Sequence, residues 1–265
     1  MASGNTIPSI HSISAAIKVT PLALKHPEGD LALLPPPFVT ISREGGAGGH
    51  TIGNLLVERL NELDAGECPW SLWDKNLVEK VANDHHISRE LIEALESHHK
   101  LWMQEFLSAL SMQADPVEAR VYRGVAATIR ALALHGRVVV VGRGGAFITR
   151  NLPGGIHLRL IAPRAFRIAS VAQQLNMTRE AAAEHVRRLD HERDMFYKRY
   201  WAKDSCTPDV YTVTINTAAV DENRAVESIL PLILASAHVT VHHTGEMPIA
   251  GMRLNAQEIE PARTP

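Results

Sequence analysis

SREGGAGGHT, residues 42–51, lies between an apolar run, FVTIS (Phe38–Ser42), and a helical pattern, His50–Asn61. Gly45, Gly46, Gly48 and Gly49 let backbone amides converge with no Cβ in the way. A helix opening near His50 adds the positive end of its dipole. Strand, glycine turn and helix together make an anion site, suited above all to phosphate, with Ala47 and His50 completing its backbone. Thr51 stands where the hydroxyl of such a loop reaches a magnesium ion. The lysine that phosphate loops carry is missing. A bare turn that serves tight packing is the alternative.

Outward from the loop, β-rich runs alternate with helical patterns. The runs are WSLW (Trp70–Trp73), RVVVVG (Arg137–Gly142), IHLRLIA (Ile156–Ala162) and VYTVTIN (Val210–Asn216). VVVV is apolar throughout, as a strand covered on both faces requires. Asp74 caps a helix through about Asn83, and Ser88 one through about Leu110. Asp115-Pro116-Val117-Glu118 opens another that reaches Leu134, with Gly136 to end it. Thr178 caps a long basic helix to about Trp201, and Asp221 one to about Ala235. Strands joined by helices of this length predict an α/β fold with a five-stranded parallel, doubly wound sheet. Ligands bind such sheets at the carboxyl ends of the strands, where the glycine loop falls.

The bulk numbers set limits. The chain has 265 residues, 45% hydrophobic and 5% aromatic, which suits one globular domain. We place it at 38–237, between an extended or disordered segment, 1–37, ending LLPPP, and a peripheral tail, 238–265. A net charge of −2 gives no bulk field for nucleic acid or membrane. No apolar stretch approaches the roughly 20 residues of a membrane span. The two cysteines, Cys68 and Cys206, cannot build a disulfide framework. The N-terminus has neither a continuous apolar leader nor an arginine before Arg43, so a cytoplasmic location is expected. The fourteen histidines include three adjacent pairs but no HExxH or Cys/His zinc spacing. Leu101, Trp102, Phe106 and Leu110 lie at helical spacing, as a packing face would. The helical insert from Ser88 to Leu134 is a candidate homodimer surface.

FVTISREGGAGGHTIGNLLVERL, WDKNLVEKVA, VVVVGRGGAFI, RLDHERDMFYKRYW and YTVTINTAAVDENRAVESI resemble, in order, the cytidylate kinase-like family of P-loop proteins. The likeness runs from about Phe38 to Ile233. It implies a nucleoside monophosphate kinase-like fold, ATP and Mg²⁺ as cofactors, and phosphoryl transfer to a nucleotide such as CMP or dCMP. A cytidylate kinase loop has the form GxxGxGKxT. Laid on this chain, its glycines fall at Arg43, Gly46 and Gly48, its lysine at Gly49 and its threonine at Thr51. Arg43 and the lid arginines are the candidates to replace the lysine; an ion pair with Glu44 is the other reading of Arg43.

The resemblance implies further roles. Arg143 matches an arginine of the family's DGRD stretch that helps hold the acceptor. Val141 and Gly144 stand where that stretch has acids, which weakens conventional magnesium binding and nucleotide specificity. Asp74 contacts a base or ribose, or is only a helix cap. In the basic helix, Asp190 and Arg193 share a face. Arg193, with Arg188 as the alternative, then serves as the lid arginine over the transferred phosphoryl group. A solvated helix face laced with ion pairs is the bland reading. Three functions stay open: a nucleotide kinase, a degenerate nucleotide-binding sensor or partner-binding protein, and a kinase of a non-nucleotide small molecule.

Overall fold

The computed structural model describes residues 36–63, 69–83, 116–142, 144–201 and 207–236. The Ser88–Leu110 helix, both cysteines, Arg143 and nearly all of the two terminal segments lie outside them. Element order is β1 (Phe38–Arg43), α1 (Gly49–Leu63), β2 (Ser71–Trp73), α2 (Lys75–Asn83), α3 (Pro116–His135), β3 (Val138–Val141), α4 (Gly145–Thr149), β4 (Gly155–Ile161), α5 (Arg164–Gln174), α6 (Arg179–Trp201), β5 (Val213–Asn216) and α7 (Glu222–Ser236). The strands form one sheet in the order β2-β3-β1-β4-β5. Every pairing is parallel.

The period of two along the strands sorts their side chains onto two buried faces. Val138 and Val140 enter a core with α2 and α3. Val39, Ile41, Val139 and Val141 enter the opposite core with α1 and α7. α1 buries Ile52, Leu56 and Leu60 at helical spacing. α7 answers with Ala225, Val226, Ile229 and Ile233. With both faces covered, the open edge of the sheet for ligands is its carboxyl end.

The local signals act as expected at the helix starts. Leu77 N donates to Asp74 Oδ1 at 2.9 Å, and Arg224 N to Asp221 Oδ1 at 3.0 Å. Gly136, with φ 73°, ends α3. Two differences stand out. β5 starts at Val213 rather than Val210, because Pro208–Val210 form a 3₁₀ turn closed by Tyr211 N to Pro208 O. The 11-residue helix α5 was not anticipated. It follows Pro163, and only Arg167 and Val171 are buried on it, too narrow a stripe to show as periodicity.

Candidate active site

β1 ends at Arg43, and the chain turns through Glu44–Gly48 into α1. Gly46 and Gly48 have φ of 80° and 78°, the left-handed region where only glycine is at ease. Gly46 is also sterically closed: a Cβ there would lie 2.6 Å from the carbonyl oxygen of Arg167. Gly49, His50 and Thr51 open α1, so their N–H groups have no acceptor within the helix. His50 and Thr51 are exposed at that end. Ala47 N is used within the turn, donating to Glu44 O at 3.2 Å, so the helix N-terminus is what the loop leaves open to an anion.

α6 crosses the loop, and one carboxylate ties the two together. Gly45 N donates to Asp190 Oδ1 at 2.7 Å. Asp190 Oδ2 accepts from Arg167 Nη1 at 2.6 Å. Arg167 also donates from Nη1 to Gly45 O at 3.0 Å and from Nε to Ala162 O at 2.9 Å. Its Nε lies 3.3 Å from Glu44 Oε2, which accepts from Ala162 N at 3.1 Å. One buried guanidinium thus joins the loop, the end of β4 and α6. Sequence reasoning passed over Arg167, since nothing local distinguishes it from a surface arginine.

The sequence placed Asp190 and Arg193 on one helical face, and so they lie. Arg193 Nη1 stands 3.6 Å from Asp190 Oδ1, an ionic contact too long for a hydrogen bond. That nitrogen is buried and has no hydrogen-bond acceptor among the described residues. Burial lowers the Arg193 pKa, while Asp190 opposes the shift. A guanidinium cannot lose its proton under such a push, so Arg193 is a half-buried cation with one inward donor unused. Arg188 faces outward and pairs with Glu192 at 2.9 Å. The structure therefore separates the two lid candidates: Arg193 lines the cleft and Arg188 does not.

That cleft holds about 110 Å³ and is lined by Arg43, Lys75, Gly144, Glu192, Arg193 and Tyr197, among others. Three cations against one acid give it a positively charged lining. It is smaller than the roughly 300–1,000 Å³ of small-molecule sites. The two ends of α6 are held differently. Its C-terminal half is anchored in aromatic packing: Tyr122 stacks on Tyr200 at 3.8 Å, and Trp201 lies 5.0 Å from Phe147. Trp201 also covers Gly144, where a Cβ would meet Cη2 at 2.2 Å. Tyr197, its pKa pushed up to about 12 by burial, lies 3.4 Å from Ser42 Oγ through its hydroxyl. The middle of α6 is tied to the loop by the Asp190 carboxylate, with the Leu189 side chain beside Gly45, and its N-terminal half packs Ala182 and Val186 on Val171 of α5. Helix α6 therefore lies across the loop, packed on both sides of the Asp190 link.

Of the two roles for Asp74, the structure shows the cap. Arg143 lies outside the described residues. Among those described, no group of three or more His, Cys, Asp or Glu side chains forms a metal cage. Thr51, exposed on the first turn of α1, suits Mg²⁺, which takes one or two protein ligands and fills its shell with water and phosphate oxygens. No helix of the described residues is long and apolar enough to cross a membrane.

A parallel sheet with a glycine loop leaving its central strand, crossed by a long basic helix, is the frame of a P-loop kinase. The model of the cytidylate kinase-like family matches residues 38–219, and the chain belongs to that family. The fold resembles that of an uncharacterized protein from Eubacterium ventriosum, 21% identical, with a TM-score of 0.57 over 75% of this chain and 98% of the other. Shikimate kinase from Acinetobacter baumannii in complex with shikimate matches at 16% identity and a TM-score of 0.37, over 76% and 94% of the chains. Shikimate kinase from Bacteroides thetaiotaomicron matches at 11% identity and 0.41, over 75% and 98%. No curated protein sequence matches. Family and frame support a kinase of a nucleotide or other small molecule.

Proposed function

We propose that the protein transfers the γ-phosphoryl group of ATP to a nucleoside monophosphate, a CMP- or dCMP-like acceptor first of all. An oxygen of the acceptor phosphate attacks the γ-phosphorus, its bond to the β,γ-bridging oxygen breaks, and ADP leaves. Phosphoryl transfer is mostly positioning and charge neutralisation. The amides of Gly46 and Gly48–Thr51 would hold the nucleotide phosphates, since Gly45 N donates to Asp190 and Ala47 N to Glu44 O. Mg²⁺, held by Thr51 and those phosphates, would supply charge neutralisation there. Arg193 would meet the transferred group and Arg143 the acceptor phosphate.

The observation that carries this reading is the state of Arg193. A half-buried cation with a buried, unused donor, lying beside a glycine loop, is poised for an oxyanion that the loop would bring beneath it. A second reading, nucleotide binding without transfer, is favoured by Val141. It is 2% exposed at the strand end where an acid would serve the metal.

The test incubates the full chain with ATP, Mg²⁺ and a panel of nucleoside monophosphates, with products separated by ion exchange. A nucleoside diphosphate product is expected, slowed by at least about 100-fold in Arg193→Ala and under threefold in Arg187→Ala, whose exposed side chain pairs with Glu184 away from the loop. ATP binding without product selects the second reading. Neither binding nor product refutes both.

A further inference from the structure

Gly49 occupies the place of the phosphate-loop lysine, and its local backbone gives no reason for a glycine. It lies in the first turn of α1 and is absent from the positive-φ glycines. Glycine weakens a helix there relative to alanine. What excludes a side chain is Arg43. A Cβ at position 49 would meet Arg43 Cγ at 2.9 Å, Cδ at 3.1 Å and Cβ at 3.4 Å. These atoms are the root of the side chain, which cannot swing clear without changing its whole course. The Arg43 stem fills the volume through which a lysine at 49 would leave the helix.

The far end of the same side chain meets a second glycine. A Cβ on Gly142 would lie 2.0 Å from Arg43 Nη1 and 2.9 Å from Cζ, and Gly142 has φ 91°. The guanidinium therefore rests on the backbone just past β3, at the carboxyl end of the sheet. It shares the positively charged cleft with Lys75 and Arg193. Strand β1 thus delivers a cation to the region that the helix would otherwise serve.

We infer that Arg43 is the cation that grips the nucleotide's terminal phosphates, and that Gly49 and Gly142 are the channel that admits it. The inference rests on the phosphotransfer reading. The changes at 43 and 49 are then one exchange: the lysine was relinquished because its space went to the arginine. The fork of a guanidinium takes two phosphate oxygens at once, where an ammonium offers a point charge. The grip therefore distinguishes ATP and ADP from AMP.

The test is titration calorimetry of the full chain with Mg·ATP, ADP and AMP. Thermal melts confirm that each variant is folded. Arg43→Met keeps the stem and removes the charge. It is expected to weaken ATP on the order of 30-fold, the worth of one charge-assisted pair of hydrogen bonds, and AMP under threefold. Gly49→Lys alone collides with the stem and also loses ATP affinity. Arg43→Ala with Gly49→Lys vacates the stem's volume for the lysine and recovers at least about tenfold over Arg43→Ala. Arg43→Met binding ATP like wild type overturns the assignment. So does a folded double variant no better than Arg43→Ala, or Gly49→Lys binding ATP at least as well as wild type. If the wild-type chain binds no ATP, the phosphotransfer reading falls, and the assignment with it.

Discussion

Arg167→Met removes the guanidinium that joins the loop, β4 and α6. The Arg167 side chain is 9% exposed, and its carboxylate partners Asp190 and Glu44 are 36% and 29% exposed. Breaking a fully buried pair costs about 3–5 kcal/mol, but water reaches both carboxylates here, so the ionic part falls to about 1 kcal/mol. The carbonyls of Gly45 and Ala162 lose a donor, at about 1 kcal/mol each. The expected destabilisation is about 3 kcal/mol. In a domain of this size each kcal/mol moves Tm by roughly 2–4 °C, so Tm falls by about 6–12 °C. Circular dichroism melts at neutral pH measure it. Arg167→Lys keeps the charge but cannot fork to these acceptors, and recovers less than half of the loss. A Tm for Arg167→Met within about 2 °C of wild type would refute the view that this residue organises the site.

Two further tests read the loop and the core. Gly46→Ala forces a Cβ to within 2.6 Å of the Arg167 carbonyl at φ 80°, so a stability loss of at least about 2 kcal/mol by urea denaturation is expected; a neutral change refutes the tight seating of the loop under α5. His157 is buried beside Thr40 Oγ1, and burial lowers its pKa from 6.5 to about 4. Its folded pKa lies below the unfolded value, so its stability contribution is full above pH 6.5 and is lost as pH falls towards 4. Between pH 7 and 4.5 wild type should lose about 2 kcal/mol more than His157→Phe in paired urea titrations, and parallel losses would contradict this.

Much of the frame was legible because its signals are local. The apolar VVVV run, the period of two in FVTIS, the Asp74, Thr178 and Asp221 caps and the Gly136 stop each act within a few residues. The pair Asp190 and Arg193 was legible because three residues on a helix return to the same face. Helix α5 and Arg167 were not. Their burial depends on contacts with Gly45 and Asp190, 122 and 23 residues away in sequence. The choice between Arg188 and Arg193 was open for a similar reason: only the packing of α6 on the loop tells which side faces inward.

By itself the sequence determined the strand, glycine turn and helix, the parallel α/β frame around them, and a resemblance that the family match bears out. Those properties follow from backbone preference and hydrophobic period, which are written residue by residue. The tertiary structure alone decided how the loop stands without its lysine. The positions of Arg43, Gly49 and Gly142 relative to one another depend on how β1, α1 and β3 meet. Excluded volume acts between atoms in space, so a glycine that reads as a loss in the chain becomes, in the fold, the room another residue needs.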